Sequence, residues 1–336
     1  MSDLKTTNGR KARVGLAVAF AALGDTERNA IEVAWRCSVA VATEWEPSFV
    51  AFGLEPVTSQ ARAADILVYL GESSRFAAVA AEAAAQLPVV FIKSTVEELL
   101  EHAPDAPPRY RMCTGVKGIA RALAQVAPGS TVADWEALPW PESVASLTHL
   151  GAAERSYVDA SVAAFREAAV ERKLRWEADL PVEQTPGQPF AVFLTMHDPA
   201  ASILAATALR LWPQCTVLAA DGMVATRSPS GEPWPERLLR VRHWSSRSRS
   251  ESNRLFRQAM HHKGVPDFDS AGMLFGTMRF LEGAFAAGAR PADLHLAGRH
   301  PGPLGPMSMT SSGRPHPERL VVFQGERIQV VRIASL

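Results

Sequence analysis

One stretch constrains this chain more than any other. From Ala64 to Leu99 the sequence reads ADILVYLGESSRFAAVAAEAAAQLPVVFIKSTVEEL, which predicts strand, turn, helix, strand. Ile66 to Leu70 and Val89 to Ile92 are short unbroken apolar runs, as expected of parallel strands covered by helices on both faces. Between them Phe76, Val79, Ala80, Ala83 and Leu87 recur at helical spacing, so one helical face packs back on the sheet. Ser73, after Gly71, is predicted to cap that helix and to leave unpaired N–H groups facing the strand ends. Open α/β sheets collect ligands at that edge. Ser94 and Thr95 leave the next strand at the same edge, so with Ser73 and Ser74 four hydroxyls would converge on one small molecule. The plainer alternative is that Ser73 and Thr95 only cap helices.

The flanking chain extends the pattern. Arg13 to Phe20 reads as a first strand, Glu27 to about Thr43 as a helix with Ile31, Ala34 and Trp35 facing inward, and Ser48 to Phe52 as a second strand. Four strands separated by helical patterns describe a doubly wound parallel sheet. No GxGxxG or GxxxxGK[ST] follows any strand, which removes the main support for a nucleotide cofactor. A second α/β pattern begins at Phe190. AVFLT is a strand, MHDP a turn opening a helix at Ala200 to Leu211, and TVLAA the next strand, ending in Asp221-Gly222. Thr195, His197, Asp198 and Asp221 then fall at carboxyl ends of strands. Near the end, Asp269 or Ser270 is predicted to cap a helix that buries Leu274, Met278, Leu281 and Phe285 and stops at Gly288. Arg319 to Phe323 and Arg327 to Ile333, joined at Gln324-Gly325, read as a terminal hairpin.

Length and charge exclude several classes. The chain has 336 residues, 47% hydrophobic and 21% charged, enough for two domains of ordinary size. Thirty-five basic residues balance thirty-five acidic ones, so net charge argues for neither nucleic acid nor a membrane surface. No apolar run is long enough to cross a bilayer. Cys37, Cys113 and Cys215 are far apart and form no CxxC pair, so free buried thiols are expected. Lys5, Arg10, Lys11 and Arg13 precede the apolar run from Val14 to Leu23, in the order of an export signal, with Ala19-Phe20-Ala21 in the form of its cleavage site. The same run, RVGLAVAF, has the form of a buried strand. The expectation is therefore an uncleaved cytoplasmic protein, with a periplasmic location as the alternative if residues 1–21 act as a signal.

These pieces resemble the type I periplasmic binding protein fold, in particular its branched-chain amino acid and amide-binding branch. RVGLAVAF is similar to the opening strand, and ILVYLGESS with LPVVFIKSTVEEL to the segment that holds the ligand's polar head. PPRYRM is similar to the short strand that follows, DFDSAGMLFGTMRFLEGAFAAGARPADL to the late helix, and LGPMSMTSSGRPHPERLVVFQGERIQVV to the closing segment. The resemblance implies an α/β protein of two Rossmann-like lobes with parallel sheets and a hinge. It implies that Ser73 or Ser74, Ser94 and Thr95 hold ligand in the first lobe, and that Asp221 and His197 contact it in the second. It also implies an ABC-transporter-related substrate-binding protein or ligand sensor. The expected boundaries are a flexible terminus over 1–12, a first lobe over 13–128, a second over 129–288 with an irregular insert at 129–188, and a closing loop with hairpin over 289–336. Residues 130 to 188 carry no apolar strand followed by a glycine turn, so the second lobe is expected to be reduced or rearranged there.

The predicted function is non-catalytic binding of a small polar metabolite in an interlobe cleft, through Ser73, Ser74, Ser94, Thr95, Thr195, His197, Asp221 and Arg247. Hydroxyls and a helix N-terminus suit a carboxylate or amide oxygen, and Asp221 suits an ammonium or N–H donor, unless Asp221-Gly222 merely makes a turn. Arg237 to Lys263 holds eight Lys or Arg against one acid, Glu251. Lacking interleaved aromatics, it reads as a solvated helix and loop rather than a nucleic-acid surface. Arg247 or Arg249 is the arginine expected to reach an acidic ligand. His261-His262, His295 and His300 lack metal-ligand spacing, and Ser73 lacks a nucleophile elbow, so no cofactor, metal or catalytic residue is expected. The expected partners are the ligand, a regulator or permease, and a second copy of the chain, with no nucleic acid. The rival readings are a Rossmann-like enzyme using His197, Asp198 or Asp221, and an assembly subunit that has lost its ligand.

Overall fold

The computed structural model describes residues 10–20, 23–57, 63–129, 131–177 and 189–333. Residues 1–9 of the terminus expected to be flexible, the Ala21 end of the export pattern and residues 178–188 of the expected insert lie outside the described residues. The chain begins with β1 (Ala12–Ala19), α1 (Asp25–Ala40), β2 (Trp45–Phe52) and β3 (Ile66–Gly71). The short helical turns α2 (Phe76–Val79) and α3 (Ala81–Ala84), β4 (Val89–Ile92), β5 (Arg109–Arg111) and α4 (Val116–Val126) follow. Next come β6 (Thr131–Asp134), α5 (Glu142–Ala145), α6 (Ala152–Glu171), β7 (Arg175–Glu177), β8 (Phe190–Leu194), α7 (Ala200–Leu211), β9 (Cys215–Ala219) and β10 (Leu238–Arg242). The last elements are α8 (Glu251–His262), α9 (Asp269–Ala286), β11 (Ser308–Met309), β12 (Pro315–His316), β13 (Arg319–Gln324) and β14 (Arg327–Arg332).

Two compact units result, and neither is one continuous piece of chain. The first takes the described residues up to Thr114 together with His243–Arg319, and the second takes Gly115–Arg242 together with Leu320–Ile333. This corrects the expected boundaries at 128 and 288. Helix α4 leaves the first stretch because its apolar face, with Ile119, Ala122 and Leu123, shares a core with Val132 and Phe165. The late helix α9 belongs with the first unit, because Leu274, Met278, Leu281 and Phe285 pack in one core with Ile31, Ala34 and Trp35 of α1. Each buried Leu, Ile, Met or Phe side chain among these stabilises its unit by about 1.5–3 kcal/mol. Polar groups fix the pairing: Glu282 accepts hydrogen bonds from Thr43 N at 2.7 Å and from the Thr43 hydroxyl, and the Ser270 hydroxyl donates to Glu27.

Both units are built on the same strand order. The first sheet runs β2-β1-β3-β4-β5, all parallel. The second runs β14-β13-β10-β9-β8-β6-β7. Its five parallel strands, taken in sequence, repeat the order second, first, third, fourth, fifth. The terminal hairpin extends that sheet, β13 lying antiparallel to β10, rather than forming a separate closing segment. The expected irregular insert is likewise not irregular where it is described. It contributes β6, β7 and α6 to the second unit, and β6 was hidden because only Val132 and Ala133 of its four residues are apolar and buried.

The helix expected between β3 and β4 is broken. Ser73–Arg75 form a single 3₁₀ turn, and α2 and α3 are separate four-residue turns. The interruption has a cause: Val57 N–H donates to the Val79 carbonyl at 2.8 Å, taking an acceptor that the helical ladder needs. The anticipated inward face survives, since Phe76, Val79, Ala80 and Ala83 are all buried.

Candidate functional site

In the first unit the strand order changes direction between β1 and β3, and a ligand is expected just beyond the carboxyl ends of strands at such a point. Gly71 sits there for a steric reason. A Cβ on it would lie 2.3 Å from the Ala19 carbonyl oxygen, which accepts the Glu72 N–H at 3.0 Å. Ser73 and Ser74 follow, half-buried and exposed respectively. Neither caps a helix: the cap position of the 3₁₀ turn is Glu72, with no side-chain cap bond. A three-residue turn has no macrodipole of consequence, so the predicted helix N-terminal anion site is not formed.

Ser94 is fully buried, and its hydroxyl donates to the Gly71 carbonyl at 2.8 Å. That bond ties the end of β4 to the end of β3 and spends the hydroxyl. Thr95 is buried beside it, and its carbonyl accepts from Arg111 Nη1 at 3.2 Å. Arg111, 1% exposed, also holds both Glu97 carboxylate oxygens at 3.2 Å, and Glu97 accepts in turn from Arg314 at 3.1 Å.

The residue immediately before Ser94 was not anticipated. Lys93 has a left-handed backbone, φ 65°, a conformation that non-glycine residues adopt at a cost and that concentrates at binding sites. Its ammonium lies 3.8 Å from Asp269 Oδ2 and 5.8 Å from the centre of the Phe20 ring. Asp269 or Ser270 was predicted to cap α9. The cap position is Phe268 instead, and Asp269 Oδ1 is buried with no hydrogen-bond partner among the described residues.

The second unit repeats the arrangement with different chemistry. Its strand order reverses between β6 and β8, which end at Asp134 and just before Thr195. Thr195 is fully buried. Asp221, just beyond β9, accepts a 2.6 Å hydrogen bond from the Tyr157 hydroxyl, delivered from α6. Burial raises the Tyr157 pKa well above its ordinary value, as does the Asp221 carboxylate, against smaller opposing effects of Thr195 and Ser161 hydroxyls. Tyr157 is therefore a neutral donor at physiological pH. The His197 ring lies 4.8 Å from the Tyr157 ring, tilted by 40°. Glu154 binds both its main-chain N–H, at 3.0 Å, and its Nδ1, at 3.5 Å.

Asp198 does not share this role. Its Oδ1 accepts from Ser202 N at 3.0 Å, and its Oδ2 accepts from Val224 N and Ala225 N at 2.6 and 2.7 Å. It joins the start of α7 to the loop after β9. Gly222 permits the approach of that loop, because a Cβ there would lie 2.4 Å from the Met196 carbonyl oxygen.

Within the second unit, then, Thr195, His197 and Asp221 come together, and Tyr157 and Glu154 join them unforeseen. The signal was present: Glu154, Tyr157 and Ser161 recur at i, i+3 and i+7, one face of a helix. Ser73, Ser74, Ser94 and Thr95 share the rim of the first unit. Arg247 is exposed on the loop before α8, which belongs to the first unit. That loop is anchored by Asn253, whose Nδ2 donates to the Ser245 carbonyl at 2.8 Å and whose Oδ1 accepts from the Trp244 indole. Among the described residues, no three His, Cys, Asp or Glu side chains cluster as a metal site, no helix is long and apolar enough to cross a membrane, and the three cysteines are free.

Neither a family model nor a curated protein sequence matches the chain, but solved structures do. An ABC transporter substrate-binding protein from Desulfitobacterium hafniense, in complex with Leu, is 15% identical with a TM-score of 0.64, over 95% of this chain and 100% of its own. The leucine-binding protein LivK of Thermotoga maritima is 14% identical with a TM-score of 0.62, over 95% of this chain and 97% of its own. A solute-binding protein from R. palustris, in complex with 4-hydroxybenzoate, is 13% identical with a TM-score of 0.65, over 96% and 98%. The chain has the α/β fold of the type I periplasmic binding proteins.

Proposed function

We propose that this protein is a non-catalytic receptor for a small polar metabolite, one that presents an anionic or amide oxygen together with an N–H donor. The observation that carries this reading is the repeated strand order, which gives each unit a reversal point lined with polar groups. The rims are complementary in chemistry. Lys93, Ser73, Ser74 and Thr95 offer donors on one, and Asp221, with the Tyr157–His197 aromatic pair, offers an acceptor and an apolar wall on the other. Proteins of the same fold are described in complex with Leu and with 4-hydroxybenzoate, which suits an amino acid or a related carboxylate. The receptor would report its occupancy to a permease or a regulator.

Thermal shift with L-leucine, benzoate, 4-hydroxybenzoate and a panel of amino acids and amides tests this. Ligand at a hundred times Kd should add about 2.7 kcal/mol to stability. Asp221→Asn and Thr95→Ala should abolish that gain while leaving the melting of the free protein close to wild type. A panel that stabilises nothing, or turnover of the compound that binds, would overturn the reading.

A further inference from the structure

The basic run from Arg237 to Lys263 does not form one charged surface. Arg237 is occupied by the Leu209, Trp212 and Cys215 carbonyls, and Arg240 is buried with its guanidinium 5.0 Å from the centre of the Phe323 ring. Arg247, Arg249 and Lys263 are exposed singly around α8, whereas on the helix itself Arg254, Arg257 and His261 form an exposed stripe at i, i+3 and i+7. These three, with Gln258, form one wall of an open groove of about 590 Å³. Val265, Pro266 and Asp267, on the turn toward α9, form the other.

The charges on this wall are uncompensated. Neither Arg254 nor Arg257 makes an ion pair among the described residues, whereas Arg13, Arg75, Arg111 and Arg290 do. Like charges one turn apart repel each other, and Arg254 stands in the first turn of its helix, where a cation is disfavoured. The opposite face of α8 cannot rotate them away, because Asn253, Phe256 and Met260 are buried.

The lining also selects among anions. Two guanidinium forks and an imidazole match the oxygens of phosphate groups. The volume lies in the range of small-ligand sites. Asp267 opposes an occupant that is acidic throughout, and no Phe, Tyr or Trp ring lines the groove for bases to stack on,. Gln258 and Asp267 suit hydroxyl groups instead. We propose that this groove, which shares no lining residue with the rims described above, binds a small phosphate-bearing anion with a hydroxylated body.

The test uses the full chain and inorganic pyrophosphate, followed by amide NMR at low and physiological salt. Saturable shifts are expected at residues 254–267, weakening as salt rises. The double variant Arg254→Gln/Arg257→Gln should lose on the order of tenfold in affinity per guanidinium and should melt no lower than wild type, since it removes a repulsion. Glu251→Gln, on the same helix but outside the groove, should bind at least as well as wild type. No saturable shift on α8, or a double variant that binds like wild type, overturns the site. A hexaglutamate peptide or a thymidine oligonucleotide that binds these residues more tightly than pyrophosphate overturns the ligand class.

Discussion

Arg111 is almost wholly removed from water, and it is tolerated because acceptors meet both of its terminal nitrogens: the Thr95 carbonyl at Nη1 and the two oxygens of Glu97 at Nη2. Removing one member of such a pair leaves the other charge stranded. Arg111→Leu should therefore destabilise the first unit by about 3 kcal/mol, read as a lower midpoint in urea, and should loosen Thr95. Asp134 shows the opposite sign. Burial raises its pKa, outweighing the Glu136 N–H that lowers it. Ionising it thus costs native stability, a cost that grows as pH rises from the unfolded value of about 3.9 through the folded one. Asp134→Asn should melt higher than wild type at pH 7, and the gap should narrow as the pH is lowered toward 4. At this scale the sequence was a partial guide. Ser94 and Thr195 were legible as polar residues ending strands, but the diversion of the Ser94 hydroxyl to the Gly71 carbonyl depends on which strands are neighbours. Lys93 carried no signal at all, since its backbone conformation is imposed from outside.

Among the elements, the strands were the most readable, because a strand buried on both faces needs an unbroken apolar run and little else supplies one. The helices misled where tertiary hydrogen bonds competed with propensity, and the alanine-rich segment after Ser73 is the clearest case. Its composition favours a continuous helix, yet one N–H from Val57 divides it. Strand β6 erred the other way, too short to stand out until its neighbours cover it. The close approach of β1 and β3 yields a test. Gly71→Ala would drive a methyl group to 2.3 Å from a backbone oxygen, and strain of this kind costs about 1–3 kcal/mol. The variant should show that loss in thermal unfolding and also weaken whatever ligand the first rim holds.

For the molecule as a whole, the predicted class was right and the predicted cut points were not. Periodicity reports where an element lies but not which core receives its apolar face, so α4 and α9 were assigned by their position along the chain. A fragment spanning residues 1–128 should accordingly fail to fold. It lacks the α9 residues that cover Ile31, Ala34 and Trp35, and it ends on a helix whose own core is absent. Circular dichroism and amide NMR of that fragment provide the check, and a cooperative melt with dispersed resonances would contradict the division.

The late arrival of α9 has a consequence for biogenesis. The ribosome releases all five strands of the first sheet before it has made the helix that seals one side of them. At 5–20 residues per second, the roughly 150 intervening residues keep that side bare for about ten seconds or longer. The nascent chain must spend that interval shielded by a chaperone or by its own transient collapse, so the middle of translation is when this protein is most exposed to aggregation.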